Sequence, residues 1–249
     1  MKNLKKYEYK YHLTDDKFIF VPTPEMLFYG KKIKKEIEAV WKCPSYYYHL
    51  LPTGHIGALK EHINNDWFLI ADIRNFFYQI NQTKITRSLN QLFHNYNKSR
   101  EIAKLSTVFS VFNNKKSWHL PYGFPQSSII SSVCLKNSFL GTFLENLKKD
   151  GYAVSVYVDD IIISGKSDSY NFHLRKMLEN VAKKSNLELN SKKIHLSKRK
   201  ITVFNINLYH LKTRIERNRK KSFLNVLKDK NKNPSVKLAI KKYMKIAEM

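Results

Sequence analysis

The sequence predicts an α+β fold: an antiparallel sheet backed by helices. Three observations lead there. Apolar runs of strand length, Trp67–Ile73 and the pair within Tyr152–Gly165, lie among segments whose apolar residues recur at helical spacing. The elements follow one another as β-α-loop-α-β-β-α-β, with the two later β-runs joined tightly enough to pair as a hairpin. Hydrophobic residues make up 43% and aromatics 13%, which supports a sizeable core and excludes a disordered chain, while 7 Gly and 7 Pro exclude collagen-like and linker-rich classes.

Each element has a local reason. Lys31–Trp41 places Ile33, Ile37 and Val40 on one helical face. Tyr46–Leu51 reads as a strand, ended by the turn Pro52-Thr53-Gly54. Trp67–Ile73 is a continuous apolar run carrying Asp72 near its end, as a strand buried on both faces would be. Thr83–Phe93 spaces Ile85, Leu89 and Leu92 for a helix, and Leu120–Gln126 is a loop broken by two prolines and a glycine. A long apolar helix is expected from about Ser128 to Leu147, with Ser131, Ser132, Ser138 and Gly141 permitting close packing. Asp150-Gly151 marks a tight turn, and Tyr152–Gly165 then forms two β-rich runs meeting at Asp159-Asp160. Tyr170–Ser185 reads as a helix, and Leu187–Asn190 and Ile201–Leu208 as strands. The last forty residues read as one or two basic helices with an apolar seam of Phe223, Leu224, Leu227, Leu238, Ile240 and Tyr243, separated at Pro234.

Charge narrows the partners. The chain carries 45 Lys and Arg against 20 Asp and Glu, a formal net charge of +25, and residues 161–249 alone hold 23 basic and 6 acidic residues. Such an excess suits a polyanion, and nucleic acid is the usual one; a solvated basic surface is the plainer reading. No apolar run approaches the roughly 18–20 residues that span a bilayer, so no membrane partner is expected. Cys43 and Cys134 lie far apart, which offers neither a zinc cluster nor a disulfide framework. The charged N-terminus has no apolar stretch behind it, so a cytoplasmic chain is expected.

The acids point to chemistry. Asp159 and Asp160 sit between Val156-Tyr157-Val158 and Ile161-Ile162-Ile163 with no basic neighbour in sequence. A solvated turn would explain an isolated Asp pair. Here the flanks are apolar, and Asp72 ends a matching strand upstream. Buried carboxylates must be paired, hydrogen-bonded or bound to metal. If the two strands lie side by side, three carboxylates converge, a donor set suited to Mg²⁺ and in-line phosphoryl transfer.

Tyr157-Val158-Asp159-Asp160 resembles the Tyr-x-Asp-Asp box of reverse transcriptases. Asp72-Ile73-Arg74-Asn75-Phe76-Phe77 resembles their first catalytic motif. Leu120-Pro121-Tyr122-Gly123-Phe124-Pro125-Gln126-Ser127-Ser128 is similar to the loop-helix motif between these two, and Asn190-Ser191-Lys192-Lys193 and Thr202-Val203-Phe204-Asn205 stand where later palm motifs fall. The ordered set covers about residues 45–210 and is most similar to retron-type and defence-associated bacterial enzymes of the unknown groups.

That resemblance implies a right-hand polymerase fold: an N-terminal and fingers region over 1–66, a palm with inserted fingers helices over 67–210, and a basic, thumb-like helical tail over 211–249. It implies RNA-templated DNA synthesis on two Mg²⁺ ions, or Mn²⁺ in their place, with Asp72, Ile73, Asp159 and Asp160 as the metal-binding set and Asp160 the weaker ligand. Phe77 would lie under the incoming sugar and exclude a 2′-hydroxyl. Gln126 would contact the nucleotide or template base, with Gly123 letting the backbone approach. Lys193, or its neighbour Lys192, would meet the pyrophosphate leaving group. The implied partners are an RNA template or non-coding RNA, dNTPs, the DNA product, and a second subunit or second copy of the chain, in bacterial antiphage defence.

The sequence departs from the family where the triphosphate is gripped: Leu51–Lys60 retains only Lys60 and His55 of a basic pair. With 89 residues after Asp160, a short thumb and no RNase H domain are expected. Arg217, Arg219, Lys220 and Lys221 are the candidate phosphate contacts of the tail. The alternatives are a catalytically weak RNA-binding subunit of a reverse transcriptase complex and an RNA-dependent RNA polymerase; Phe77 and the Tyr-Val before the acids disfavour the latter.

Overall fold

The computed structural model describes residues 4–14, 17–112, 115–169 and 172–249. In chain order these form β1 (Tyr7–Thr14), β2 (Lys17–Pro22), α1 (Pro24–Val40), α2 (Gly54–His62), β3 (Trp67–Asp72), α3 (Gln82–Phe93), α4 (Tyr96–Leu105), β4 (Val108–Phe112), β5 (Lys115–His119), α5 (Ser127–Lys136), α6 (Phe139–Lys149), β6 (Ala153–Tyr157), β7 (Asp160–Gly165), α7 (Leu174–Lys184), β8 (His195–Ser197), β9 (Lys200–Val203), β10 (Ile206–Tyr209), β11 (Lys212–Ile215), α8 (Arg217–Lys228) and α9 (Pro234–Ala247). The chain divides into two compact units. The expected α+β architecture of antiparallel strands and helices is what forms. Among the described residues no helix is long and apolar enough to cross a membrane.

One unit comprises Ser45–Asp72, Leu144–Glu179 and Leu189–Met249. Its main sheet is antiparallel with strand order β6-β7-β3-β8. Every residue of β3 is buried, as its unbroken apolar run requires of a strand covered on both faces. Helix α2 packs on β6 and β7. There the fully buried His62 accepts or donates at both ring nitrogens, 2.7 Å from Ser164 Oγ and 2.8 Å from Ser155 Oγ. A second sheet, β11-β10-β9, adds Ile201, Val203, Ile206, Leu208 and Ile215 to a core shared with Leu59, Phe68, Ile70, Ile162, Phe223 and Ala247. Each such Ile, Leu or Val, fully buried, contributes about 1.5–3 kcal/mol. Helix α9 is tied to β11, since Thr213 Oγ1 donates to the Ala247 carbonyl at 2.8 Å.

The other unit comprises Met1–Pro44, Ile73–Phe143 and Asn180–Glu188. It holds the hairpins β1–β2 and β4–β5, helices α1, α3, α4 and α5, and a core of Phe20, Met26, Val108 and Phe124. Gly123, at φ 102°, lies so close to β2 that a Cβ would fall 2.4 Å from the Phe20 carbonyl oxygen. The close approach read for Gly123 therefore serves this unit's own backbone.

Several elements depart from the sequence reading. Helix α1 begins at Pro24 rather than Lys31, because Thr23 Oγ1 accepts from the Met26 amide and Pro24 fits the first turn. Tyr46–Leu51 is not a strand: Tyr47 makes a single parallel bridge to Val156, and Tyr48–Leu50 then turns as a 3₁₀ helix. The expected long helix is broken into α5 and α6, since Ser138 Oγ donates to the Leu135 carbonyl and accepts from the Gly141 amide, capping a new start. Leu187–Asn190 is not the sheet strand; β8 takes that place after a 3₁₀ turn over Ser191–Lys193. Ile201–Leu208 splits into β9 and β10 at Phe204-Asn205, both with positive φ (54° and 58°), the backbone of a type I′ hairpin turn. Strand β11 had no separate signal. Of the helix read over Tyr170–Ser185, residues 170 and 171 lie outside the described residues, and α7 begins at Leu174.

Candidate active site

The acidic residues gather because of sheet register. In the β3–β7 pairing, Asp72 stands directly opposite Asp160, and in the β6–β7 hairpin Tyr157 stands opposite Asp160. Directly opposed residues of an antiparallel pair have Cβ atoms about 4.5–5.5 Å apart. Asp72 is 6% exposed, whereas Asp159 and Asp160 are half-buried. Burial, then the charges of Asp159 and Asp72, push the Asp160 carboxyl up to about 7, with Lys193 working the other way.

A two-residue turn, Val158-Asp159, joins β6 to β7. Val158 has φ 59°, while Asp159 is not in the left-handed region. A positive φ at the first central residue alone is the pattern of a type II′ turn, which prefers Gly there. A β-branched residue in this conformation stores about 1–3 kcal/mol of strain. The Val158 amide donates to His49 Nδ1 at 3.0 Å.

On the other side of β3, the Asn190 amide donates to the Asp72 carbonyl at 2.8 Å, and Asn190 Oδ1 accepts from the Lys192 amide at 3.3 Å. The 3₁₀ turn held this way brings Lys193 Nζ to 2.5 Å from Asp72 Oδ1. Burial lowers the Lys193 ammonium's pKa, but the Asp72 hydrogen bond and the charges of Asp72, Asp160 and Asp159 outweigh it and raise it overall. Of the two lysines read from the sequence, Lys193 is the one that reaches Asp72. Among the described residues, no group of three His, Cys, Asp or Glu side chains stands arranged to hold a metal ion by itself.

The remaining candidates are placed less uniformly. Lys60 is exposed on α2. His55, its presumed companion, is turned into an aromatic cluster: Nε2 lies 3.1 Å from the Tyr243 hydroxyl, and its ring neighbours Tyr157 and Phe204. Burial lowers its pKa. These residues, with Phe223 and Arg219, line a cavity of about 490 Å³. In the tail, Arg219 stacks over the Phe223 ring at 4.6 Å and Lys220 pairs with Glu248 at 2.9 Å, so two of the four expected phosphate contacts are engaged internally. Arg217 and Lys221 are exposed.

In the other unit, Ile73 is fully buried, and its hydrocarbon side chain carries no donor atom for a metal ion. Phe77 is 7% exposed, and its ring lies 4.7 Å from that of Tyr122. Gln126 is completely buried; its Nε2 lies 3.4 Å from Ser106 Oγ, and its Oε1 has no hydrogen-bond partner. It packs where a Cβ on Gly30 would clash, and it presents no surface to a nucleotide. The residue that sequence reasoning missed is His49, hidden inside an apparent strand. Its only signal is a contact across the fold.

Residues 17–208 match the family described as reverse transcriptase (RNA-dependent DNA polymerase). No curated protein matches the sequence. Among solved structures, telomerase from Candida albicans, in complex with a fragment of telomeric RNA, is 11% identical with a TM-score of 0.55, over 78% of this chain and 38% of that one. Apo telomerase from Candida tropicalis is 15% identical with a TM-score of 0.53, over 77% and 45%. A foamy viral protease-reverse transcriptase in complex with double-stranded DNA is 15% identical with a TM-score of 0.53, over 94% and 35%. The chain thus spans less than half the length of each, and at these identities the likeness is one of fold. Since the family match takes in 17–208 of 249 residues, the carboxylates of β3 and β7 and the turn between β6 and β7 among them, the chain belongs to the reverse transcriptase family.

Proposed function

We propose that this chain is an RNA-templated DNA polymerase whose chemistry centres on Asp72, Asp159 and Asp160. The observation that carries the reading is the register pairing of Asp72 with Asp160, beside a turn that adds Asp159. Hard carboxylate oxygens with excess negative charge fit Mg²⁺ or Mn²⁺ ions that take their remaining ligands from substrate phosphates rather than from the protein. Bound there, two such ions would lower the pKa of a 3′-hydroxyl and neutralise charge on the triphosphate. Lys193 holds a proton at Nζ beside Asp72, and is placed in this reading to offer it to the departing pyrophosphate. Phe77, backed by Tyr122, acts as the plate that excludes a ribose 2′-hydroxyl.

The unit carrying the acids serves as the palm, with residues 211–249 as its thumb-like tail. RNA, dNTPs and the DNA product are its ligands, with a second subunit or copy assisting template choice. Resemblance in the Leu120–Ser127 and Phe204–Leu208 segments supports a cytoplasmic role in bacterial antiphage defence with a non-coding RNA; sequencing the nucleic acids that co-purify with the protein tests this. In primed extension assays, Asp159→Ala should lower incorporation by about three orders of magnitude or more while RNA affinity stays unchanged. Activity surviving that change would remove the catalytic assignment. The withdrawal of His55 from the fingers stretch favours one second reading, an RNA-binding subunit of a reverse transcriptase complex. It predicts RNA binding without incorporation by the wild-type chain.

A further inference from the structure

We propose that His49 is a positioning residue that locks the Val158-Asp159 turn through its Nδ1. The proposal rests on the polymerase reading for its consequence, though not for its geometry. Strand β6 is the edge of its sheet, so the amides on its outer side need partners from elsewhere. The segment before α2 supplies them at alternate residues. The Val156 amide donates to the Tyr46 carbonyl at 2.7 Å, and Tyr47 bridges Val156. Two residues on, where the next outward amide falls, Val158 donates to His49 Nδ1. A ring nitrogen thus stands where a neighbouring strand would have offered a carbonyl.

To accept at Nδ1, the imidazole must be neutral with its proton on Nε2. The ring is lodged between Tyr47 and Tyr157, with centroids 6.1 and 5.8 Å away. Val158 sits at φ 59°, a conformation that persists only where the surroundings enforce it. The rest of the hairpin is held by its own ladder, from Ala153 opposite Ser164 to Tyr157 opposite Asp160. Losing His49 therefore leaves the β6–β7 ladder paired and removes the turn's support at Val158. Because Asp159 follows Val158 directly, the backbone that carries its carboxylate loses this support. The effect belongs to the turnover step, not to nucleotide or RNA binding.

The test compares His49→Leu, His49→Gln and His49→Asn in the full chain. Asn places an acceptor two bonds from Cβ, as Nδ1 is; Gln places it one bond further. Leu and Gln should lower kcat for dNTP incorporation by about ten- to a hundredfold with KM within about twofold, and Asn should stay within about threefold of wild type. Exchange of the Val158 amide proton, followed by NMR, should quicken by about tenfold in the Leu variant and remain slow in the Asn variant. Binding of Mn²⁺ alone, followed by its EPR signal, should weaken in the same order. Wild-type kcat in the Leu variant, equal losses in Leu and Asn, or unchanged exchange at Val158 each overturns the role. If the wild-type chain incorporates nothing, the polymerase reading fails, and amide exchange still decides the hydrogen bond.

Discussion

Two single residues, Asp160 and Phe77, put the proposed chemistry to the test. The Asp160 carboxyl, pushed up to about 7, keeps its proton in the folded chain at pH values where the unfolded chain, with a carboxyl near 3.8, has lost it. Stability from this group is therefore full below about pH 4 and is lost as pH rises toward 7, by a few kcal/mol at about 1.4 per pH unit. Without divalent ions, Asp160→Asn should be more stable than wild type at pH 8 by several degrees in Tm, with the gap closing by pH 5. Thermal unfolding at the two pH values checks this, and equal gaps would deny the carboxylate crowding. Phe77→Ala should raise relative incorporation of ribonucleotides by about tenfold or more, read as the ratio of kcat/KM for the two sugars. That ratio does not depend on how much of the variant folds. An unchanged ratio means that Phe77 merely fills the core beside Tyr122.

Among the elements, α2 shows how a polar side chain is accommodated beneath an apolar sheet. His62 is fully buried between Ser155 and Ser164, and burial first of all drives its pKa down to about 3, with Lys148 acting in the same sense and Glu61 opposing. A neutral imidazole in the fold, against about 6.5 unfolded, contributes stability that is present above pH 6.5 and lost as pH falls toward 3. His62→Gln should cost about 1–3 kcal/mol at pH 7.5, and the difference from wild type should shrink by pH 4.5 in denaturant titrations. A constant difference would mean that the histidine titrates normally. Local choices also break two long apolar runs: Ser138 separates α5 from α6 by bonding the Leu135 carbonyl and the Gly141 amide, and Phe204-Asn205 turns β9 into β10 through two positive φ values.

Over the whole molecule, a net charge of +25 suits a polyanion, and the tail carries much of it. Arg217 and Lys221 are exposed on α8, so reversing both to Glu should weaken RNA binding and reduce the slope of log affinity against log salt by about 1–2. Filter binding across salt concentrations measures it; an unaltered slope removes the tail as a phosphate contact. Lys220→Glu is a poorer probe, because it also breaks the pair with Glu248. That pair is partly exposed and contributes about 0–1 kcal/mol.

The sequence by itself determined the antiparallel α+β class, the buried β3 run, and the pairing of the two β-runs on either side of Asp159, with carboxylates set among apolar strands. All of that follows from local pattern: side-chain periodicity, turn residues, and the cost of placing carboxylates among apolar neighbours. Only the tertiary structure decided that Asp72 faces Asp160, that Lys193 rather than Lys192 reaches Asp72, that Gln126 turns inward, and that His49 holds the turn. Each of these joins residues distant in sequence through register, an Asn190 cap or packing. Such contacts are chosen by the fold as a unit and leave no periodic trace along the chain.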